Sequence, residues 1–420
     1  MSTDDLFYQN LSVDNQLWLS GYFSTSSSLV KDFLKNVDKG SLGWSRVVIS
    51  DDVVMDMNNF YYPEVVDFHV NKKQHVVLNI DQDVWVGDKQ VHVDKIRLSL
   101  MPFNILIYSI GLHVEHVELS QMFSILNQLR QINSYDRNES VGEFVNVAIQ
   151  PVRELYALLS GNKYERNSQL VENGNKLKIF QVVTTSHVLH QLPNANNLLY
   201  SLGTLSMNDP DDYMSSSEEY IESVLRTNKV SVFNNWSALS LLDTMTFLTD
   251  SGIRDYVRTN WLTDYFELIY LYQLYRKIFL YRTNNAFRLK RMPTNKLQQD
   301  IDVFNNHYSF SYISYNFLPN ILNNTIELTF EISEELEQIN QVVNRVLQLE
   351  TEHREKQSNT FLTFLAVIAS FSAIWDTNCL IDAIFNYESC FDVAIVGYRL
   401  ITSVLLAIVF IVAIISKRKK

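Results

Sequence analysis

Residues 357–375 contain no charged side chain, and residues 393–416 contain a single one, Arg399. The first run is 19 residues long, which as α-helix spans about 28 Å, close to the thickness of one hydrocarbon core. Two core helices of a soluble protein are the alternative, and the length of the runs together with the missing polar face weighs against it. The pair predicts a membrane hairpin: a first span at 360–375, an outer loop at 376–392, a second span at 393–416 and a basic tail at 417–420.

Charge sets the expected orientation. Lys417-Arg418-Lys419-Lys420 follows the second run, Arg354 and Lys356 precede the first, and the stretch between the runs holds no Lys or Arg. The positive-inside rule then places both termini in the cytoplasm and the loop outside an inner or plasma membrane. Trp375, Phe385, Tyr387, Phe391 and Tyr398 cluster near that loop, as interfacial aromatic residues do. The opening Met1-Ser2-Thr3-Asp4-Asp5-Leu6 lacks the basic and apolar regions of a cleavable secretion signal, so the first 350 or so residues are expected to face the cytoplasm.

The only two cysteines, Cys379 and Cys390, both fall in the expected outer loop. An oxidising compartment could bridge them, but the reading the residues favour is two small apolar side chains at a membrane interface. The same loop carries Asp376, Asp382, Glu388 and Asp392 and no base. These acids either draw cations to a pore mouth or simply keep the loop out of the bilayer.

Upstream of the first run, Ile332, Leu336, Ile339, Val343, Val346, Glu350, His353, Gln357 and Thr360 follow one another at spacings of four and three. That period of about 3.5 is the seam of a helix packed against partner helices. Continuing the count gives Phe364, Val367, Phe371, Ile374 and Asn378, one face running from cytoplasm to outer loop. Such a face either lines a central pathway or forms a plain oligomerisation seam. Residues 321–375 contain no Gly or Pro, so a single helix of about 80 Å is expected, with 321–359 as its cytoplasmic stalk.

The first half of the chain has a different texture. Short β-branched runs occur at 47–49, 75–80, 91–93, 96–100 and 104–110, with turn signals at Gly87-Asp88 and Gly111. Helical patterns follow at 120–132 and 142–159, the latter interrupted at Pro151, and then a strand at 176–184. A polar loop at 206–217 suggests a boundary between a mixed α/β head, 1–210, and a helical region, 211–320, with helices at 253–289 and 295–316. The acids of Asn208-Asp209-Pro210-Asp211-Asp212 fit a solvated loop better than a cation site. The expected class is thus an α+β membrane protein with a cytoplasmic head, a long helical stalk and two C-terminal transmembrane helices.

Several chemistries find no place on this chain. There are 35 basic and 47 acidic residues, a net charge of −12, so direct binding to nucleic acid is not expected. None of the 11 glycines falls in a Gly-x-Gly pair, which removes the dinucleotide and P-loop fingerprints. His113-Val114-Glu115-His116 and His187-Val188-Leu189-His190 are the close histidine pairs, and each would need further ligands to hold zinc. No catalytic residues are assigned, and an enzyme is not the expected reading.

This organisation resembles the CorA family of divalent-cation channels, most specifically from 332 to 420. In that family the loop after the first span opens with Tyr-Gly-Met-Asn; here Trp375-Asp376-Thr377-Asn378 stands in its place, matching the aromatic residue and the Asn but not the Gly and Met. The resemblance implies a homopentamer whose first spans surround a pore, with Asp376, Thr377 and Asn378 on the ion pathway at the outer mouth. Thr360, Phe364, Val367, Phe371 and Ile374 would line or gate it, closing by dewetting. Five copies would bring an outer ring of about −20 from Asp376, Asp382, Glu388 and Asp392. The altered motif puts magnesium selectivity in question, leaving magnesium or another divalent cation as permeant or regulatory ion. Some CorA-like proteins accompany type III CRISPR systems as antiviral membrane effectors opened by a nucleotide second messenger, and a degenerate motif under an elaborated head fits that variant too. A reading from another class is a non-conducting scaffold, anchored by the hairpin and assembled through the seam.

Overall fold

A computed structural model describes residues 11–40, 42–46, 75–131, 138–161, 176–192, 194–207, 215–309, 313–314 and 316–384. They divide into two units, Met1–Asn340 and Gln341–Lys420. The first is α+β and is built on a nine-stranded sheet of order β2-β3-β4-β5-β1-β6-β9-β8-β7.

β1, Ser12–Ser24, lies inside the sheet, antiparallel to both β5, Ile105–Glu118, and β6, Lys178–Thr185. On one side, β5 continues through a meander with β4, Lys89–Met101, and β3, His75–Val86, to the short β2, Ser45–Arg46. On the other, β6 pairs in parallel with β9, Thr244–Asp250, which is followed outward by β8, Trp236–Ser240, and β7, Lys229–Val230. The β3–β4 hairpin turns at Gly87, whose φ of 64° is the left-handed geometry that glycine adopts without steric cost.

Alternation along β1 sends its side chains to two covered faces. Phe23 meets Tyr156 edge-on at 5.1 Å, which places α3, Gln150–Ser160, on one face together with α1, Ser27–Asp38, α2, Leu119–Leu129, and α4, Ala195–Thr204. Asn15 belongs to this face too: its amide donates to Gln181 Oε1 at 2.9 Å, and Gln181 donates in turn to Leu202 O and Thr246 Oγ1. Trp18 points the other way, where its ring stacks on Phe266 at 4.8 Å and 5°.

Phe266 belongs to an unusual helix. Asp255–Asn260 opens it as an α-helix, Trp261–Tyr270 continues it as a π-helix, and Leu271–Arg288, α6, returns to α geometry. Trp261, Phe266 and Tyr270 recur at spacings of five and four, which suits the wider i→i+5 turn better than an α-helix and puts all three rings on the sheet. Trp261 stacks on Phe247 at 4.7 Å, and Trp18 Nε1 donates to Leu262 O at 2.9 Å. α7, Thr294–Tyr308, covers α6 through a Phe279–Phe304 stack at 4.1 Å. α8, Phe317–Thr329, follows it, with α5, Glu218–Asn228, beside it.

Four expectations need correction. The region 211–320 is not all helical: β7, β8 and β9 lie within it and complete the same sheet as β1 to β6, so the polar loop near 210 separates no domains. These strands are rich in Ser and Thr, and several of their hydroxyls find partners in neighbouring segments, as when Thr249 donates to Asn235 O at 3.0 Å. The helix expected from 321 onward is broken: α8 stops at Thr329, Glu331 takes a left-handed φ of 54°, and α9, Ile332–Ile384, begins anew. Phe330 and Ile332 are both buried, so the break drives two apolar side chains into the core without a Gly or Pro. The first part of the segment expected as a loop is helical, since α9 runs through Asp376, Thr377, Asn378, Cys379 and Asp382 to Ile384. At Pro151 the interruption is a π stretch, Val145–Ile149, directly before α3. The run 47–49, the loop 208–212, Glu388, Cys390, Asp392 and the second apolar run at 393–416 lie outside the described residues.

Candidate functional site

In the second unit the described chain is one helix, the continuation of α9. Ile332–Trp375 is long and apolar enough to cross a membrane, and no part of its most apolar window is buried within the chain among the described residues. Phe361, Leu362, Phe364, Leu365 and Ile368 are all exposed, Phe364 to 61%. Burying one such side chain is worth about 1.5–3 kcal/mol, so these five together leave on the order of 10 kcal/mol unrealised in water.

The seam divides at the same point. Ile332, Ile339 and Val343 are buried and Leu336 and Val346 half-buried, so the apolar part of the repeat is covered. Glu350, His353, Gln357 and Thr360 are exposed. The Thr360 hydroxyl donates to Lys356 O at 2.7 Å, and Thr363, Ser370 and Thr377 likewise donate to the carbonyl four residues back. These four hydroxyls thereby satisfy themselves locally and present little unpaired polarity to an apolar surrounding. By spacing, Thr360, Phe364, Val367, Phe371, Ile374 and Asn378 occupy one face of a continuous helix, and Val367, Phe371 and Ile374 are half-buried. Asp376, Thr377 and Asn378 follow on the same helix.

The first histidine pair lies beside carboxylates. His113 Nε2 lies 3.4 Å from Glu115, while His116 Nδ1 lies 3.0 Å from Asp14. Among the described residues, no group of three or more His, Cys, Asp or Glu has the arrangement to hold a metal ion. His92 is held by ion pairs instead, with Asp83 at 2.8 Å on Nδ1 and Asp81 and Asp94 at 3.3 and 3.4 Å on Nε2. The hydrogen bond to Asp83 raises its pKa, with burial pulling against it and the neighbouring carboxylates adding to it.

Sequence reasoning missed the buried polar connections of the first unit. Arg276, 2% exposed, pairs with Glu327 of α8 at 3.1 Å and donates to Gln273, whose amide reaches Asn323. Ser333, at the start of α9, donates to the same Glu327 at 2.7 Å, and Lys277 pairs with Glu335 at 2.8 Å. A chain of charge-assisted bonds thus ties α6 to α8 and to the first turn of α9. A second connection joins Arg97 of β4 to Glu267 of the π stretch. The available signal was an arginine embedded in an apolar run, in Ile96-Arg97-Leu98 and again in Tyr275-Arg276-Lys277-Ile278.

The sequence matches no family model and no curated protein.

Proposed function

We propose that this chain is a subunit of an oligomeric membrane channel for cations, inserted by two C-terminal spans and controlled through its cytoplasmic α+β unit. The observation that carries this reading is the apolar stretch of α9, which nothing within the described chain covers. A surface of that size is covered by lipid, by other copies of the same helix, or by both. The 3.5-residue period favours copies along one face, and the second apolar run, 393–416, supplies the return span.

The face shared by Glu350, His353, Gln357 and Thr360 is wet where it nears the membrane and apolar from Phe364 to Ile374. That sequence of polarity suits a cytoplasmic vestibule followed by a hydrophobic constriction that gates by dewetting. Asp376, Thr377 and Asn378 then take the outer mouth. The resemblance to CorA channels supports a pentamer and a divalent cation, while the replaced Gly and Met leave selectivity to be measured.

The test is ion flux into liposomes holding the purified oligomer, comparing magnesium, potassium and sodium, with and without a panel of nucleotide messengers. Cation flux is expected, and Phe371→Ala should raise basal leak at least several-fold by widening the constriction. Flux that appears only with a nucleotide identifies a signalling effector of the same architecture. Silence from both the native chain and correctly assembled Phe371→Ala would overturn the channel reading in favour of a scaffold.

A further inference from the structure

A cavity of about 380 Å³ opens between the π stretch and the start of α8. Its volume falls within the range of roughly 300–1,000 Å³ typical of small-molecule sites. The π stretch has two faces. Trp261, Phe266 and Tyr270 are buried, the last two against Phe180 of the sheet, while Asp264, Tyr265 and Leu268 are half-buried and line the cavity. π-helical turns recur at functional sites because they re-aim side chains that an α-helix would place elsewhere.

The opposite wall is organised by Asn320. Its Oδ1 accepts from Ile313 N at 3.1 Å and Ser314 N at 3.2 Å, and its Nδ2 donates to Asn316 O at 3.1 Å. This fixes Ser314 and Asn316 at the rim, with Phe317, Leu318 and Pro319 behind them as the first turn of α8. One wall therefore holds a carboxylate and a phenol, and the other is mainly apolar.

Asp264 has no cationic side chain paired with it among the described residues. Burial raises its pKa, so the charged form is held in a poorly solvated place. Among the described residues, no Lys, Arg or His lines the cavity. The electropositive feature is the N-terminus of α8, equivalent to about half a charge, and Pro319 removes one of its N–H donors. A full carboxylate charge outweighs it.

We propose that this cavity binds a small organic cation, an ammonium head on an apolar body, with Asp264 as counter-ion and Tyr265 and Phe317 against the body. Other ligand classes fit less well. A phosphate-bearing ligand would meet a carboxylate and no basic side chain. A hard divalent cation needs six or more oxygen ligands and would find one carboxylate among Leu268, Ile269, Ile313 and Leu318. An ammonium gains an opposite charge of low solvation, a nearby π face and apolar contact for its body. The site lies wholly within the first unit and stands independently of the membrane reading.

The probes are 2-phenylethylammonium and its neutral analogue 2-phenylethanol, titrated calorimetrically into the full-length purified chain. Saturable binding of the ammonium, at least tenfold tighter than that of the alcohol, is expected. Asp264→Asn should equalise the two, and Leu268→Trp, which fills the cavity from the π stretch, should weaken both by tenfold or more. Equal affinity of the two probes for the native chain, absence of binding, or ammonium binding unchanged in Leu268→Trp would overturn the proposal. If Asp264→Asn loses its thermal unfolding transition, the native preference and the Leu268→Trp result decide.

Discussion

Removing Glu267 should be among the most damaging single changes in the first unit. Its partner Arg97 is 8% exposed and Glu267 itself 13%, and the guanidinium Nε and Nη2 have no hydrogen-bond partner among the described residues. Burial pulls the Arg97 pKa well below its ordinary value, down to about 10, a desolvation penalty of about 3 kcal/mol at about 1.4 kcal/mol per pH unit. Because a base with a depressed folded pKa stays charged at neutral pH, that penalty is fully present there. It is relieved only above about pH 10, where the unfolded chain still holds the proton that the folded chain has lost and stability rises with pH.

Glu267→Ala would leave that charge buried without its counter-ion, a loss of about 3–5 kcal/mol. In a unit spanning Met1–Asn340, about 1.4 °C of melting temperature accompanies each kcal/mol, so a drop of roughly 4–7 °C is expected. Arg97→Met combined with Glu267→Leu removes both charges and should recover to within about 2 kcal/mol of the native chain. The assay is tryptophan-fluorescence melting of the full chain, which Trp18 reports through its stack on Phe266 of the same π stretch. A single mutant melting within 2 °C of native, or a double mutant as unstable as the single, would refute the reasoning.

Two further outcomes follow from the first unit. The raised pKa of His92 means that its ion pairs with Asp81, Asp83 and Asp94 stabilise the fold fully below pH 6.5 and lose that contribution as pH rises through the folded value; in Asp83→Asn the titration midpoint, read by NMR, should fall toward 6.5. Glu331→Gly should raise the melting temperature by a few degrees, since glycine adopts the φ of 54° without the strain a side chain suffers there, and a lower melting temperature would contradict the assigned break between α8 and α9.

The sequence made much of the β3–β5 meander and β6 legible through their short β-branched runs, but Gly111, which reads as a turn, lies inside β5 and pairs with Trp18 and Lys95. β1 was invisible although it is central: Asn15, Ser20 and Gly21 interrupt its apolar pattern, and each is explained only by tertiary partners. Asn15 bonds Gln181, Ser20 bonds Ser109 at 2.8 Å, and a Cβ on Gly21 would stand 2.3 Å from the Tyr108 hydroxyl. β8 and β9 were hidden by their Ser and Thr content, which reads as loop until tertiary partners such as Gln181 and Gly203 O take up the hydroxyls of Thr246 and Thr244. The break at Glu331 carries no Gly or Pro because core burial of Phe330 and Ile332 imposes it from outside the local sequence. The apolar stretch of α9 needed only length and composition to be seen, whereas the cavity at Asp264 depends on a π turn that α-helical periodicity does not anticipate.

The central claim is that α9 leaves the cytoplasmic unit and crosses a bilayer, returning through 393–416. Cys379 and Cys390 are the only cysteines of the chain, so a membrane-impermeant maleimide applied after mild reduction reports that topology without any substitution. Labelling of intact cells, blocked by prior external quenching, is the result the account predicts. Labelling only after the membrane is opened would place this segment on the cytoplasmic side and contradict it.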